Sequence, residues 1–199
     1  MSAVDVVIID SGGANLASLR YALERLGASS EVSSDPARVS AAPRALLPGV
    51  GAAAEAMLRL RNAGLIDVIR SLRQPLLGIC LGLQLLYERS EEGDALCLGV
   101  FEGTVQRITR ATGRPVPHMG WNTCDFRRAD PLLDGIGAAD YFYFLHSFAA
   151  PATDRSSATV DYGATLCAAA SQGNFHGVQF HPERSGAAGA RVLRNFLEL

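Results

Sequence analysis

Lysine is missing from this chain of 199 residues: all 18 of its basic residues are arginine, set against 20 acidic ones. Without a lysine amine no side chain can form a Schiff base with pyridoxal phosphate or an aldol substrate, and no Walker A lysine can reach a nucleotide phosphate. Concentrated charge is lacking too. The arginines are dispersed and the formal charge is −2, so there is no basic tract of the kind that binds nucleic acid or a membrane surface. No stretch approaches the ~18 apolar residues of a membrane helix. The opening MSAVDVVIID carries neither the basic nor the apolar region of a secretory signal. These absences predict a cytoplasmic protein with no nucleic-acid or membrane partner. The four cysteines, at 80, 97, 124 and 167, lie too far apart in sequence for a zinc knuckle and do not suggest a disulfide scaffold. No metal and no cofactor is expected.

The chain does contain alternating apolar segments of strand and helix length. Residues Val4 to Ile9, apolar apart from Asp5, run into a Gly-rich turn spanning residues 10–13, and Leu16, Leu19, Leu23 and Leu26 then repeat at helical spacing before Gly27. Short strands are expected at Ser30 to Ser33, Arg44 to Leu47 and Leu76 to Ile79. Helical stretches are expected from Pro36, from Ala52 to Ala63, from Leu65 to Leu72 and from Cys80 through Tyr87. This alternation predicts an α/β fold with a single open, mostly parallel sheet flanked by helices. Beyond Cys97 the pattern becomes strand-rich, with segments at Tyr141 to Leu145, Ala158 to Tyr162, Thr165 to Ala170 and Phe175 to Phe180. These are antiparallel additions in the second half, and Ala187 to Leu197 closes the chain as a helix. At roughly 150 residues per domain, residues 1–199 are read as one domain.

Two short segments carry chemistry. Gly78-Ile79-Cys80-Leu81-Gly82 sits where an apolar strand becomes a helix, with the glycine spacing of a nucleophile elbow and cysteine as the nucleophile. The glycines suit a tight, strained turn, and a helix N-terminus favours thiolate over thiol. The alternative reading is a buried structural cysteine between packing glycines. The second segment, Gly177-Val178-Gln179-Phe180-His181-Pro182-Glu183, delivers a histidine and, two residues later, a carboxylate. In extended chain both point to one side, so Glu183 can hold the His181 ring while its other nitrogen faces a nucleophile. Alone it could be an ordinary turn; together with Cys80 it completes a Cys-His-Glu triad. The backbone N–H of Leu81 is the natural first oxyanion donor, and Pro48-Gly49-Val50-Gly51 can supply the second, each donor being worth about 3 kcal/mol in the transition state. His118, His146 and His176 read as core or surface histidines, and Cys97, Cys124 and Cys167 as core.

Gly78 to Gln84 together with Gly177 to Glu183 resemble the class I (triad) glutamine amidotransferases. Within that family Pro48 to Gly51, His118-Met119-Gly120-Trp121-Asn122 and Tyr143-Phe144-Leu145-His146-Ser147 are similar to the branch that serves as glutaminase of imidazole glycerol phosphate synthase. The resemblance implies a flavodoxin-like sheet and the substrate L-glutamine. Cys80 would be the nucleophile, His181 the general base and acid, and Glu183 the group that orients His181. Leu81 with Val50 or Gly51 would form the oxyanion hole, while Gly49, Gly51 and Gln84 would hold glutamine. It further implies a heterodimer with a (β/α)₈-barrel cyclase, which takes the ammonia to make imidazole glycerol phosphate and aminoimidazole carboxamide ribonucleotide in histidine biosynthesis.

Some positions depart from the family pattern. The opening turn reads Asp10-Ser11-Gly12-Gly13-Ala14-Asn15, Ala52-Ala53 follows the Pro-Gly-Val-Gly loop, Leu83 stands where methionine is usual, and Arg184 replaces the usual lysine. If Arg184 meets the partner, its planar fork would seek a bidentate acceptor where lysine offers a point charge. Two other readings stay open. One is the glutaminase of anthranilate, aminodeoxychorismate or pyridoxal phosphate synthase, from which only the partner-side motifs separate this chain. The other is a non-catalytic α/β thiol-sensing module, which leaves His181 and Glu183 without a role.

Overall fold

The computed structural model describes residues 4–12, 16–110 and 112–199, so the later part of the first Gly-rich turn, residues 13–15, lies outside the described residues. The first half alternates as the apolar pattern predicts. Strands β1 (Val6–Ile9), β2 (Ser30–Ser33), β3 (Ala45–Gly49) and β4 (Leu76–Cys80) are separated by α1 (Leu16–Arg25), α2 (Pro36–Ala41), α3 (Ala53–Asn62) and α4 (Leu65–Ser71), and α5 (Leu81–Leu86) follows β4 directly. Asp35 starts α2 by accepting a hydrogen bond from the Ala37 N–H, and Pro36, which has no N–H to satisfy, takes the first helical position.

The second half supplies β5 (Tyr87–Ser90), β6 (Ala95–Leu96), β7 (Phe101–Arg107), β8 (His118–Thr123), β9 (Asp125–Phe126), β10 (Tyr141–His146), β11 (Phe148–Ala149), β12 (Ser156–Asp161), β13 (Thr165–Gln172) and β14 (Phe175–Val178), and α6 (Gly186–Glu198) ends it. The main sheet has eight strands in the order β2-β1-β3-β4-β14-β13-β12-β9. From β2 to β14 the pairings are parallel, and β13, β12 and β9 extend the sheet antiparallel. Two smaller sheets, β10-β8 and β11-β7-β5-β6, stand beside it.

The sheet is apolar on both faces, as a parallel sheet covered on both sides must be. Along β1 the period-two alternation is visible: Val7 and Ile9 pack on the side of Leu60, Leu83 and Phe101, whereas Val6 and Ile8 pack on the side of Leu23, Phe142 and Phe196. Helix α5 is shorter than its apolar run suggests. It ends at Leu86, and Tyr87 opens β5 by pairing with Phe101, whose ring it meets edge-on at 5.5 Å between centroids. Strands β5 to β8 escape sequence reading because their exposed, glycine-containing stretches show no sustained alternation.

The topology decides where the motifs meet. Strand β14 returns more than ninety residues after β4 and inserts parallel to it, with Gly177 opposite Gly78 and Val178 opposite Ile79. On the other side of β4, Gly49 at the end of β3 lies opposite Cys80. The carboxyl ends of β3, β4 and β14 therefore share one edge, the usual location of ligand sites in open α/β sheets. Helix α5 must pass close over β3 to start there. A β-carbon placed on Gly82 would lie 1.7 Å from the Leu47 carbonyl oxygen, so no other residue fits without displacing the helix. Gly82→Ala is expected to lower the free energy of unfolding by about 3 kcal/mol, measured from the urea midpoint at constant m-value. An unchanged midpoint would show that the helix moves freely.

Candidate active site

Cys80 is the last residue of β4 and the residue before α5, with φ 55° and ψ −110°. A non-glycine residue at positive φ costs on the order of 1–3 kcal/mol and persists only where the surroundings impose it. Here they do: the turn is closed on one side by the Gly82–Leu47 approach, and a β-carbon on Gly78 would stand 2.7 Å from the Gly82 backbone. The result aims the Cys80 side chain off the sheet edge, into a cavity of about 260 Å³ whose lining includes Gly49, Val50, Gly51, Leu81, Gln84 and His181. The Leu81 N–H belongs to the first turn of α5, where backbone donors have no intrahelical partner.

His181 arrives from the other strand. Its N–H bonds to the Tyr143 carbonyl at 2.9 Å, and the Ser185 hydroxyl donates to the His181 carbonyl at 2.7 Å and accepts from the Tyr143 N–H at 3.0 Å. Pro182 then begins a 3₁₀ turn over Pro182–Arg184. Glu183 is thus reached through a turn rather than along extended chain, because proline has no N–H for strand pairing and its fixed φ favours the turn. The contact expected between the two side chains forms all the same: His181 Nδ1 and Glu183 Oε1 are 2.9 Å apart, with both side chains about nine-tenths buried. Burial by itself pulls the His181 pKa down. Hydrogen bonds to Cys80 and Glu183, and the negative charge these groups carry, outweigh it and raise the pKa to about 10. The neutral imidazole can take the proton of the thiol, and the imidazolium so formed, held between a sulfur and a carboxylate, can return it to a leaving group.

The structure also places the other candidates. Gly49, Val50 and Gly51 form one wall of the cavity, and the buried Ser11 hydroxyl steadies them by donating to the Pro48 carbonyl at 2.7 Å. Gln84 lines the cavity from α5, but its Nε2 is committed to the Phe148 carbonyl at 2.7 Å and to Gln179 Oε1 at 3.0 Å. Arg184 sits at the cavity rim with its guanidinium 4.5 Å from the Tyr143 ring centre, an aromatic contact rather than a bidentate acceptor. Two further residues of the site receive no role from the sequence: Glu92, which lines the cavity and accepts from the Ala53 N–H, and Gln179, which touches Cys80. Glu92 belongs to no motif, and Gln179 lies within the Gly177 to Glu183 segment, where its neighbours His181 and Glu183 are the residues with recognisable chemistry. The remaining cysteines, 97, 124 and 167, are buried, and burial pushes their thiols up, Cys97 to about 11 and Cys124 to about 12. Among the described residues no group of three His, Cys, Asp or Glu side chains could hold a metal ion.

Two histidines that are far apart in sequence form a pair. His118 Nδ1 lies 3.1 Å from His146 Nε2, and His146 Nδ1 lies 2.9 Å from the Phe148 carbonyl. The His118 ring is sandwiched between Tyr162 at 3.8 Å and Phe144 at 4.7 Å. Burial dominates both, lowering His118 to about 4 and His146 to about 3. Both are neutral at pH 7, next to an imidazolium at His181.

Comparison with known proteins gives the family. Residues 7–199 match the family described as Glutamine amidotransferase class-I. The chain is 53% identical over 195 residues to the imidazole glycerol phosphate synthase subunit HisH of Xanthomonas euvesicatoria pv. vesicatoria, and 52% identical to that of Xylella fastidiosa, covering 98% of each chain. Among solved structures, a glutamine amidotransferase superposes with a TM-score of 0.74 at 24% identity, covering 98% of this chain and 97% of that one. A glutamine amidotransferase from Thermotoga maritima superposes at 0.68 and 19% identity, covering 100% and 82%. At those identities the two superpositions speak for the fold alone.

The paired histidines set an acid limit on stability. Their folded pKa values are depressed below the ordinary value of about 6.5, so as pH falls from about 6.5 toward 4 the unfolded chain binds protons that the folded chain refuses. Stability then drops by up to about 1.4 kcal/mol per pH unit for each histidine. His181 runs the other way: its raised pKa adds stability that is complete below about 6.5 and is lost as pH rises through about 10. His118→Gln should therefore shrink the loss of unfolding free energy between pH 6.5 and 5, measured by urea titration at each pH. An equal loss in the variant would show that His118 is not the group responsible.

Proposed function

The chain belongs to the class I glutamine amidotransferases, and from that premise we propose that it is the glutaminase subunit of an imidazole glycerol phosphate synthase in histidine biosynthesis. The carrying observation is the meeting of a strained cysteine with a histidine held by a carboxylate, in a chain about half identical to subunits of that name along nearly its whole length. Residues 1–199 would act as one glutaminase domain.

In this reading Cys80 Sγ attacks the side-chain amide carbon of L-glutamine after passing its proton to His181. The oxyanion is met by the Leu81 N–H and by an N–H of Val50 or Gly51, and Glu183 keeps the His181 ring in register. His181 returns the proton to the amide nitrogen, the C–N bond breaks, ammonia leaves, and a thioester remains on Cys80. Water activated by His181 then adds to the thioester and releases glutamate. The Gly49 to Gly51 backbone and Gln84 shape the cavity around glutamine.

The proposed partner is a cyclase of (β/α)₈ architecture that consumes the ammonia. What supports a docking face is the outer side of the β8–β10 pair, beside the catalytic edge. Trp121 faces Tyr143 across the pair and Met119 faces Leu145. Met119 and Trp121 are 65% and 56% exposed, which is costly for an unpartnered apolar surface. Leu145 also lines the cavity, so this face adjoins the place where ammonia is made.

Three measurements check the proposal. Glutamate release should be detectable with the cyclase and its ribonucleotide substrate, a glutamyl thioester should be trapped on Cys80 by mass spectrometry, and Cys80→Ala should abolish both while remaining folded. Release of glutamate by folded protein neither alone nor with the cyclase would reject the function. Trp121→Ala should weaken cyclase binding by at least about tenfold, the usual scale for a buried aromatic anchor. Unchanged binding would move the interface elsewhere.

A further inference from the structure

Gln179 is wholly buried between the end of β14 and His181, with its N–H held by the Ala168 carbonyl at 2.8 Å. Its side chain reaches the nucleophile: Nε2 lies 3.7 Å from Cys80 Sγ, within range of a hydrogen bond to sulfur. Which end of the amide faces the sulfur is dictated by neighbours. The Phe148 carbonyl can only accept, and it is approached by Gln84 Nε2 at 2.7 Å and His146 Nδ1 at 2.9 Å. The second hydrogen of the Gln84 amide must go elsewhere, and it finds Gln179 Oε1 at 3.0 Å. Gln179 therefore presents its NH₂ group to Cys80. The same carbonyl requires a hydrogen on His146 Nδ1, so His146 Nε2 accepts from His118 Nδ1. A chain of hydrogen bonds thus links β8 to the sulfur, with the donors of His146 and Gln84 meeting at the Phe148 carbonyl and the direction reversing there.

We infer that Gln179 is a further member of the catalytic apparatus, its amide N–H holding the Cys80 sulfur as thiolate, with Gln84 and the Phe148 carbonyl acting as positioning groups that fix the direction of that donor. The step it assists is proton transfer from Sγ to His181, in which the electron pair stays on sulfur. Hydrogen bonding to the charged form of a group favours that form. The need for a donor is visible in the sulfur's other neighbour, the Leu145 carbonyl at 3.7 Å, which suits the thiol and repels the thiolate. The kinetic consequence rests on the glutaminase reading; the thiol chemistry does not.

Alkylation of Cys80 by iodoacetamide as a function of pH reads this directly, with mass spectrometry locating the label. The titratable and charged groups around the sulfur are His181 and Glu183 from the 3₁₀ turn, His146 from β10, and Glu92 and Arg184 in the cavity lining. Gln179→Met, similar in size but without a donor, should slow alkylation at neutral pH by about tenfold and move the pH profile upward by about one unit, the scale of one charge-assisted hydrogen bond. Glutaminase kcat should fall by a similar factor while KM changes little. Gln84→Met should shift the alkylation profile in the same direction although it does not touch the sulfur, and it serves as the readout if Gln179→Met does not fold. A role in packing alone would lower the melting temperature and leave the profile in place. A profile superimposable on the unmodified protein's in whichever variant folds overturns the inference. Failure of the glutaminase reading would look different: the alkylation shift would appear in a protein that releases no glutamate.

Discussion

The active site depends on the approach of α5 to β3. At Gly82 the helix backbone comes so near the Leu47 carbonyl that a β-carbon has no room, and that contact fixes how sharply the chain must turn at Cys80. The sharp turn forces Cys80 to φ 55° and lifts its side chain out of the sheet. The same turn starts a helix one residue later, so the Leu81 N–H is left without an intrahelical partner beside the sulfur. One backbone constraint thus produces the projecting nucleophile and the first donor for the oxyanion together. The strain is carried by the surrounding parallel strands, whose side chains are buried on both faces.

Around this point the molecule sorts its histidines by environment. His181, His118 and His146 are all buried, and burial disfavours charge on each. Only His181 has a carboxylate and a thiol as partners, and these reverse the effect. His118 and His146 have only each other, a carbonyl and aromatic rings, so they remain neutral and serve as oriented hydrogen-bond links. The charged histidine moves protons, and the neutral pair shares the Phe148 carbonyl that sets which way the amides of Gln84 and Gln179 point. The β8–β10 pair that carries both neutral histidines on its inner side presents Met119 and Trp121 on its outer side. A proposed docking face and a hydrogen-bond chain ending at the nucleophile are therefore two sides of one hairpin-like sheet.

Much of this was legible in the residues themselves. The elbow at Gly78 to Gly82 is local: a strand period, a cysteine and two glycines within five positions suffice to expect a strained strand-to-helix turn. The His181–Glu183 spacing was likewise enough to expect contact, although the chain makes it through a proline-initiated turn and not an extended segment. Apolar runs located β1, β3 and β4, which are buried on both faces, and leucine spacing located α1, whereas Pro36 marked α2 and composition marked α3. The strands from Tyr87 to Arg107 escaped, since their pairing partners, rather than their own alternation, hold them in place.

What the sequence alone determined was chemistry by type: a nucleophile, a base with its carboxylate, a Gly-rich loop, and the absence of lysine chemistry. All of these are written in short spacings, where covalent geometry restricts the conformations to a few. Only the tertiary structure decided that β14 inserts beside β4, which brings His181 to Cys80 across a hundred residues. It also decided that His118 pairs with His146, and that Gln179 turns its amide toward the sulfur. Those arrangements depend on strand order and on hydrogen-bond partners far apart in the chain. A buried amide or imidazole takes its orientation from the groups packed against it, and its own place in the sequence does not name them.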